Sequence, residues 1–174
     1  MKGIGNEVGF SDPVFRRQFR EKHGKEVEED ILIAALEWQA AVFPGKAHTW
    51  DELHHLKENW DGPILLKGIQ HVDDAKKAVE MGVDGIIVSN HGGRQLDGAI
   101  GSLEMLPEIV EAVGDEIEVL FDSGITTGVD VIKALSLGAK GVLIGRPWVY
   151  GLGIAGKIGA KNALQGLLAV SRSS

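Results

Sequence analysis

Cysteine is absent from the 174-residue sequence, and its absence removes several classes of protein from consideration. The chain has no disulfide framework, no thiol nucleophile and no thiolate metal site. No apolar run approaches the roughly 18 residues of a membrane span. The first residues, MKGIGNEVGF, also lack the apolar segment of a secretory signal. These absences predict a soluble protein with no membrane partner, and the cytoplasm is the expected compartment.

The sequence has fewer basic than acidic residues, with 18 Lys and Arg against 25 Asp and Glu, so its formal net charge is -7. No basic stripe stands out that could neutralise nucleic-acid phosphates, so we expect no nucleic-acid partner, although small anions can still bind locally. A hydrophobic fraction of 44% and a mean hydropathy of +0.02 are typical of one globular domain of ordinary size.

The first 48 residues are predicted to form a helical leader. Residues 1 to about 10 have no clear pattern and are expected to be irregular. A helix is expected to begin at Ser11–Pro13, where a capping side chain precedes a proline, and to end at Gly24. A second helix is predicted over about residues 28–43, where apolar residues recur at helical spacing.

From Thr49 onward, a first short helix is followed by four apolar runs that alternate with helical segments of about ten residues. The predicted strands are PILLKG, GIIVSN, IEVLFDSG and GVLIGRP, and the last helix is expected after Tyr150. Such alternation indicates an α/β fold with a parallel sheet buried on both faces. Two closures fit, a doubly wound sheet and a (β/α)8 barrel, of which four units form half.

Polar, small or cationic residues follow every predicted strand. Because the C-terminal ends of parallel strands meet on one rim, we expect these residues to lie close together. In chain order they are Lys67 and Gly68, the segment Ser89 to Gln95, Asp122 to Gly124, and Gly145 to Pro147.

His91 and Arg94 are the strongest candidates for chemistry. Alone, a histidine at a strand end can simply cap a turn, and a loop arginine is usually solvated. Together, an imidazole that accepts a proton and a guanidinium that grips a carboxylate suit the oxidation or deprotonation of a small carboxylic acid. Lys67, after an apolar strand, needs an anionic or electron-rich partner or a wet cleft.

The other polar features have plainer alternatives. Ser123-Gly124 and Gly145-Arg146 suit the phosphate site that barrels often carry at their last two strands, but ordinary tight turns explain them equally well. His54 and His55 have no carboxylate at metal-ligand spacing, so we expect a solvated helix face there and no metal site.

The segments LKGI, SNHGGRQLDG, FDSG and IGRP, in this order and spacing, resemble the C-terminal half of the FMN-dependent α-hydroxy acid oxidoreductases. This is the family of glycolate oxidase, lactate oxidase and lactate monooxygenase. The resemblance is strong over about Thr49–Leu168 and looser in the leader. It implies the C-terminal half of a (β/α)8 TIM-type barrel over residues 49–174 after a leader over residues 1–48. It also implies FMN as the cofactor and a small L-2-hydroxy acid as the substrate.

Site roles follow from the resemblance, position by position. It implies that His91 is the base, that Arg94 holds the substrate carboxylate, and that Lys67 stabilises charge at the N1/O2 edge of the flavin. Ser89 would contact the flavin or its ribityl chain. The ribityl and phosphate end would be formed by Asp122, Ser123, Gly124, Gly145 and Arg146.

Two departures from the family pattern qualify this prediction. The family usually reads Asp-Gly-Gly-Val-Arg where residues 122–126 read Asp-Ser-Gly-Ile-Thr, so Thr126 replaces an arginine expected at the FMN phosphate. The first four βα units are also absent, which leaves two sheet edges uncovered. We therefore expect a homo-oligomer or a missing N-terminal half.

Two functions remain open from the sequence. The first is FMN-dependent oxidation of a small hydroxy acid such as lactate or glycolate. The second is a non-catalytic half-barrel fragment or relic that keeps the fold and at most weak FMN or phosphate binding. A phosphate-binding half-barrel from an unrelated isomerase or synthase would leave His91 and Arg94 unexplained.

Overall fold

The computed structural model describes residues 6–171, and the chain divides into two compact units that meet between Glu52 and Leu53. The first unit contains the helices α1 (Asn6–Ser11), α2 (Pro13–His23) and α3 (Ile31–Val42). Residues 6–10 are therefore helical, and the expectation of an irregular start is wrong for them. The rest of that expectation, for residues 1–5, lies outside the described residues.

The helices of the first unit begin where side chains cap them. Asp12 Oδ1 accepts the Phe15 amide at 2.7 Å and starts α2. Asp30 caps α3, so this helix begins three residues later than predicted. Arg16 instead binds the carboxylate of Glu28 through two hydrogen bonds of 2.7 and 2.9 Å. These bonds keep Glu28 in the turn before α3.

The core of this unit is small and aromatic. Phe15, Phe19, Val27 and Ala34 are buried against one another, and Trp38 packs against the cluster. The rings of Phe15 and Trp38 meet edge to face, with 5.2 Å between their centroids.

The second unit is built from four parallel strands and their helices. The strands are β1 (Leu65–Ile69), β2 (Gly85–Val88), β3 (Glu118–Phe121) and β4 (Gly141–Val142), and they pair in the order β1-β2-β3-β4. Helix α4 (Glu52–Asn59) precedes β1. The helices that follow the strands are α5 (Val72–Glu80), α6 (Ser102–Val113), α7 (Gly128–Ser136) and α8 (Arg146–Ser171). The four predicted βα units are thus present.

Burial of the sheet is greatest at its centre. All four residues of β2 are buried, including Ile86 and Val88 at 0% exposure, whereas Leu65 on β1 is 39% exposed. The prediction of burial on both faces therefore holds for β2 but is wrong for β1. Within the described residues β1 has a neighbouring strand on one side, which explains the difference.

Helix α8 begins earlier than predicted and is broken in the middle. It starts at Arg146, so Arg146 and Pro147 belong to its first turn, where a proline is well tolerated. The break lies at Ala155 and Gly156, and Gly156 has φ 56° and ψ -144°, a conformation that suits only glycine. No helix within residues 6–171 has the length and apolarity that a membrane crossing requires.

Candidate active site

An open cleft lies at the C-terminal ends of the four strands. Its volume of about 470 Å³ falls in the usual range of roughly 300–1,000 Å³ for small-molecule and cofactor sites. All four strand-end segments contribute to its lining, which consists of Lys67, His91, Gly92, Arg94, Asp122, Ser123, Gly124, Ile125, Thr126, Leu143, Ile144, Gly145, Arg146, Pro147 and Val149.

The cleft brings together all residues that were assigned a role from the resemblance except Ser89. Of the other strand-end residues, Gly68, Asn90, Gly93 and Gln95 are not among those that line it. The side chain of Ser89 is 1% exposed and lies beneath the cleft. The burial of Ser89 was not predictable from the sequence, because the first residue after a strand can point to either face of the sheet.

Lys67, Ser89 and Asp122 form a hydrogen-bonded row across the ends of β1, β2 and β3. Lys67 Nζ donates to Ser89 Oγ at 2.9 Å and also pairs with the carboxylate of Asp122. Ser89 Oγ donates to Asp122 Oδ2 at 2.9 Å. The row depends on the register of the sheet, which shifts in β1 between Lys67 and Ile69, around Gly68 with φ 102°. The predicted need of Lys67 for an anionic partner is thus met by Asp122.

Asp122 stays ionised in this row. Burial acts to raise its pKa, but the hydrogen bonds from Lys67 and Ser89, the positive charge of Lys67 and the Ser123 amide outweigh that effect. The pKa of Asp122 therefore lies below its ordinary value. The row carries one positive and one negative charge at neutral pH.

The segment after β2 is a short 3-10 turn, His91–Gly93, in which all three residues have positive φ, at 59°, 68° and 69°. Such a run suits glycine, and a histidine within it is uncommon. Two side chains hold the turn in place. The His91 amide donates to Ser89 Oγ at 3.0 Å, and the Gly93 amide donates to Asn90 Oδ1 at 3.1 Å. The Asn90 amide in turn donates to Ser102 Oγ at 2.7 Å.

His91 and Arg94 are in direct contact on the exposed side of this turn. Arg94 Nε donates to the His91 carbonyl at 3.3 Å, and Nη2 of Arg94 lies 3.2 Å from Nε2 of His91. A guanidinium can only donate, so this contact is a hydrogen bond when Nε2 is the acceptor. The turn therefore places an imidazole base next to a cation.

The segment after β3 also has a backbone that glycine would adopt more easily. Ser123 has φ 87°, which for a residue other than glycine costs on the order of 1–3 kcal/mol. Its hydroxyl accepts the Gly92 amide at 2.9 Å and lies 3.3 Å from Ser89 Oγ. The ends of β2 and β3 are thereby tied together above the sheet.

Two glycines leave backbone open in the cleft. A Cβ placed on Gly124 or Gly145 would have no other atom within 4 Å, so a ligand can approach the main chain there. Arg146 follows directly and donates through Nη2 to the Gly92 carbonyl at 2.8 Å. Open backbone beside a guanidinium suits an anionic group such as phosphate.

Thr126 lines the cleft but its hydrogen bonds are directed to helix α7. Both its amide and its hydroxyl donate to Asp130 Oδ2, at 3.1 and 3.0 Å. Thr127, the N-cap of α7, binds the same carboxylate in a capping box. The amides of Thr126 and Thr127 lower the pKa of Asp130 to about 2, with further help from the Thr127 and Thr126 hydroxyls and against a small effect of burial.

The cleft carries an excess of positive charge in a chain that is acidic overall. Lys67 is paired with Asp122, which is the only carboxylate among the lining residues. Within residues 6–171, neither Arg94 nor Arg146 forms a salt bridge with a carboxylate, and both donate to the His91–Gly93 turn instead. Two guanidinium groups are therefore available to an anionic ligand.

Most of the apolar part of the cleft wall was not predicted from the sequence. These residues belong to the apolar strands or follow the polar residues after them, so a search for chemically active residues passes over them. They are Ile125, Leu143, Ile144 and Val149, and they join Pro147, which was predicted with the strand ends. An apolar lining with a few polar groups is typical of cofactor sites.

Comparison with known proteins decides between the possible barrel and sheet families. The family model described as FMN-dependent dehydrogenase matches residues 8–170. This chain belongs to that family. Its fold is accordingly a C-terminal portion of the (β/α)8 barrel, and FMN is the cofactor that the family indicates.

Members of the FMN-dependent dehydrogenase family that resemble this chain have several different names. An FMN-dependent α-hydroxy acid dehydrogenase of Schizosaccharomyces pombe is 62% identical over 165 residues, which are 95% of this chain and 40% of that protein. An L-lactate dehydrogenase of Actinobacillus pleuropneumoniae is 52% identical over 116 residues, 67% of this chain and 30% of that protein.

A solved structure agrees with the sequence comparisons. The crystal structure of mandelate oxidase with 3,3-difluoro-2-hydroxy-3-phenylpropionic acid superposes with a TM-score of 0.70 at 49% identity, over 72% of this chain and 38% of that one. The chain thus spans about two fifths or less of the length of these relatives. The resemblance inferred from the strand-end motifs is confirmed, and so is the partial barrel.

The donors in the cleft fit FMN in kind. Lys67 has a side chain that is 37% exposed, and the cleft also contains open backbone at Gly124 and Gly145 and the guanidinium of Arg146. Cations and an open backbone are donors that suit the ring and the phosphate of a flavin mononucleotide.

Proposed function

We propose that this chain provides the substrate base and much of the cofactor cradle of an FMN-dependent oxidoreductase that acts on small L-2-hydroxy acids. The observation that carries this proposal is the contact between His91 and Arg94, in a cleft that also holds Lys67 and Arg146. The names of the relatives, which include an L-lactate dehydrogenase and a mandelate oxidase, support the same class of substrate.

His91 is the base in this proposal, and Arg94 is the group that binds the substrate carboxylate. Oxidation of a 2-hydroxy acid to a 2-oxo acid removes two electrons and two protons. Bound FMN would supply the acceptor for the two electrons and one of the protons. His91 Nε2 takes the other proton, and the guanidinium of Arg94 can grip both oxygens of a carboxylate next to it. The substrate carbon is thereby held close to the base.

Lys67, Ser89 and Asp122 act as one unit at the base of the cleft. The ammonium of Lys67 faces the cleft and offers positive charge to the flavin ring, while Asp122 and Ser89 fix its direction. Ser89 is buried, so its part is to support Lys67 and the His91 amide, and this replaces the direct flavin contact expected from the resemblance.

The ribityl and phosphate end is assigned to the segments after β3 and β4. Ser123 and Gly124 would face the ribityl chain, and the Gly145 amide and Arg146 would hold the phosphate. Thr126 adds a neutral side chain that is already bonded to Asp130. We therefore expect binding of the phosphate to depend mainly on Arg146.

The absorbance spectrum of the purified chain tests this proposal directly. Addition of FMN should give the shifted, structured flavin bands of a bound cofactor. Anaerobic addition of L-lactate, glycolate or (S)-mandelate should then bleach these bands, and equal amounts of D-lactate and (R)-mandelate should serve as controls. Bands of free FMN at saturating protein would overturn the assignment.

A second candidate is a non-catalytic half-barrel that binds FMN or phosphate weakly. The observation that favours it is length, because this chain spans 40% or less of the relatives described above. Bound FMN that no hydroxy acid bleaches would support this alternative. The same spectra thus separate the two functions.

Partners of the chain follow from its sheet edges. Strands β1 and β4 each have one neighbour among the described residues, and a parallel sheet with open edges pairs readily with another chain. We propose that a second copy or the missing N-terminal half of the barrel covers these edges, in the cytoplasm. A folded monomer in sedimentation equilibrium, bleached by substrate without any added segment, would contradict this.

A further inference from the structure

Ser123 carries a side chain although its backbone conformation is one that glycine would adopt with less strain. Its φ of 87° lies in the region that L residues rarely adopt. The position lines the cleft, where a bulkier side chain takes space from a ligand. The side chain therefore needs a reason for its presence, and its hydrogen bonds supply one.

We propose that Ser123 is a positioning residue whose hydroxyl holds the Gly92 amide and offers its own proton to a ligand in the cleft. The first half of the proposal concerns this chain alone. The second half rests on the proposed function, because it takes the ligand to be FMN.

The Gly92 amide is the link between Ser123 and the chemistry. Ser123 Oγ accepts this amide at 2.9 Å, across 31 positions of sequence. Gly92 lies between His91 and Arg94, whose side chains contact each other. A change in the position of the Gly92 amide therefore moves both the base and the cation. Ser123 acts on the reaction through these residues.

The hydroxyl proton of Ser123 is free because the Ser89 hydroxyl already makes all the hydrogen bonds it can. A serine oxygen has one proton to donate and two lone pairs to accept with. Ser89 Oγ accepts from Lys67 Nζ and from the His91 amide, and it donates to Asp122. The contact of 3.3 Å between the two serine hydroxyls thus has no lone pair of Ser89 left to receive a proton.

The consequence is an available hydroxyl proton on a residue that lines the cleft. Ser123 Oγ uses one lone pair to accept the Gly92 amide. Its own proton has no acceptor among its hydrogen-bond partners in residues 6–171. A ligand oxygen or nitrogen next to Ser123 would accept this proton. Accepting from an amide and donating to a ligand strengthen one another in a buried setting. Ligand binding is thus coupled to the placement of the turn that holds His91.

Amide hydrogen exchange of the 174-residue chain, followed by NMR without any ligand, tests the positioning role. The variants are Ser123→Ala and Ser123→Gly, and Ser136→Ala on α7 is the control. We expect exchange of the Gly92 amide to become at least about tenfold faster in both Ser123 variants. The His91 amide, which Ser89 holds, should change by less than about twofold.

Thermal unfolding separates this role from a general effect on stability. Ser123→Gly relieves the strained backbone, so its Tm should equal or exceed that of the parent chain even though Gly92 exchanges faster. Gly92 exchange that stays unchanged in Ser123→Ala would overturn the proposal. So would exchange that accelerates equally at Gly92 and His91 and follows a lower Tm.

The donor role is tested by ligand binding with the same variants. Both Ser123 variants should bind FMN about tenfold more weakly than the parent chain, and the Ser136→Ala control should bind equally well. Unchanged FMN affinity in both variants would overturn the donor role. A parent chain that binds no FMN would overturn the proposed function and this donor role together, whereas the exchange experiment would still decide the positioning role.

Discussion

Arg94 Nη2 and His91 Nε2 lie 3.2 Å apart, so the cation and the base of the candidate site are joined to each other. Both groups are also what a hydroxy acid would bind, the one through its carboxylate and the other through its hydroxyl. A carboxylate forms a stronger, charge-assisted bond with a guanidinium than a neutral imidazole does. Substrate binding should therefore take Arg94 from His91 and leave Nε2 free to accept a proton.

Replacement of Arg94 tests this exchange of partners. In the FMN-loaded chain, Arg94→Met should weaken binding of oxalate, a two-carboxylate mimic, by about 10-fold to 100-fold, the size of one or two hydrogen bonds to a charged group. Arg94→Lys should recover only part of the loss, because an ammonium cannot grip two oxygens at once. Titrations followed by flavin absorbance measure both. Equal affinity in all three proteins would refute the assignment of Arg94.

His91 is tested best by asparagine, because asparagine tolerates the left-handed backbone that this position requires. His91→Asn should leave FMN affinity within about twofold and slow reduction of the flavin by substrate about 10²-fold to 10⁴-fold, the usual contribution of a general base. Stopped-flow absorbance under anaerobic conditions measures the rate. Parallel loss of FMN binding and of reduction would show that His91 supports the fold of the site and not the proton transfer.

Thr126→Arg tests whether the phosphate end lacks a charge. The new guanidinium should favour FMN over riboflavin by a further tenfold or more, since riboflavin has no phosphate to receive the added contact. Thr126→Ala is the matched control, because it loses the same hydroxyl contact with Asp130 and gains no cation. If the preference for FMN rises equally in both variants, its cause is the lost contact with Asp130 in α7 and not the added charge.

Lys67→Met tests the ion pair at the base of the cleft. Without Lys67, the partly buried Asp122 loses the contacts that keep its pKa low, so its pKa should rise. The chain should lose on the order of 1 kcal/mol of unfolding free energy at pH 7. The pair contributes above the ordinary pKa of an aspartate and loses its effect as pH falls below it. Urea unfolding of both proteins should therefore differ at pH 7 and converge toward acid pH.

Asp130 offers a second pH test, away from the cleft. Its pKa is lowered to about 2 in the folded chain, against about 3.9 for an unperturbed aspartate. Its charge therefore stabilises the fold fully above about pH 4, and this stabilisation is lost as pH falls toward 2. Asp130→Asn should lower Tm at pH 7 and show a flatter pH dependence between pH 4 and pH 2. A parallel offset across that window would contradict the capping role.

The strand ends were predictable because parallel topology places them on one rim whatever the details of the helices. Lys67, His91, Asp122 and Arg146 all line the cleft for that reason. Ser89 was placed less well, because the sequence does not show which side of a sheet receives the first residue after a strand. Its burial is a property of the register between neighbouring strands.

Helix ends were harder to predict, because single side-chain contacts decide them. Glu28 suits a helix but is held outside α3 by Arg16. Arg146 looked like the end of a strand, yet it begins α8, since β4 pairs over only two residues. Ser123 gave no sign of its left-handed backbone, because serine is not a residue from which such a conformation is inferred.

The run of positive φ angles at His91–Gly93 limits how this site can be altered. Few residue types fit such a backbone, so most single substitutions within the turn would reshape it before they changed its chemistry. A protein engineer gains more from cleft positions outside this run, such as Leu143 or Val149, whose φ angles are not positive. The turn would keep the base and the cation in place while those positions are varied.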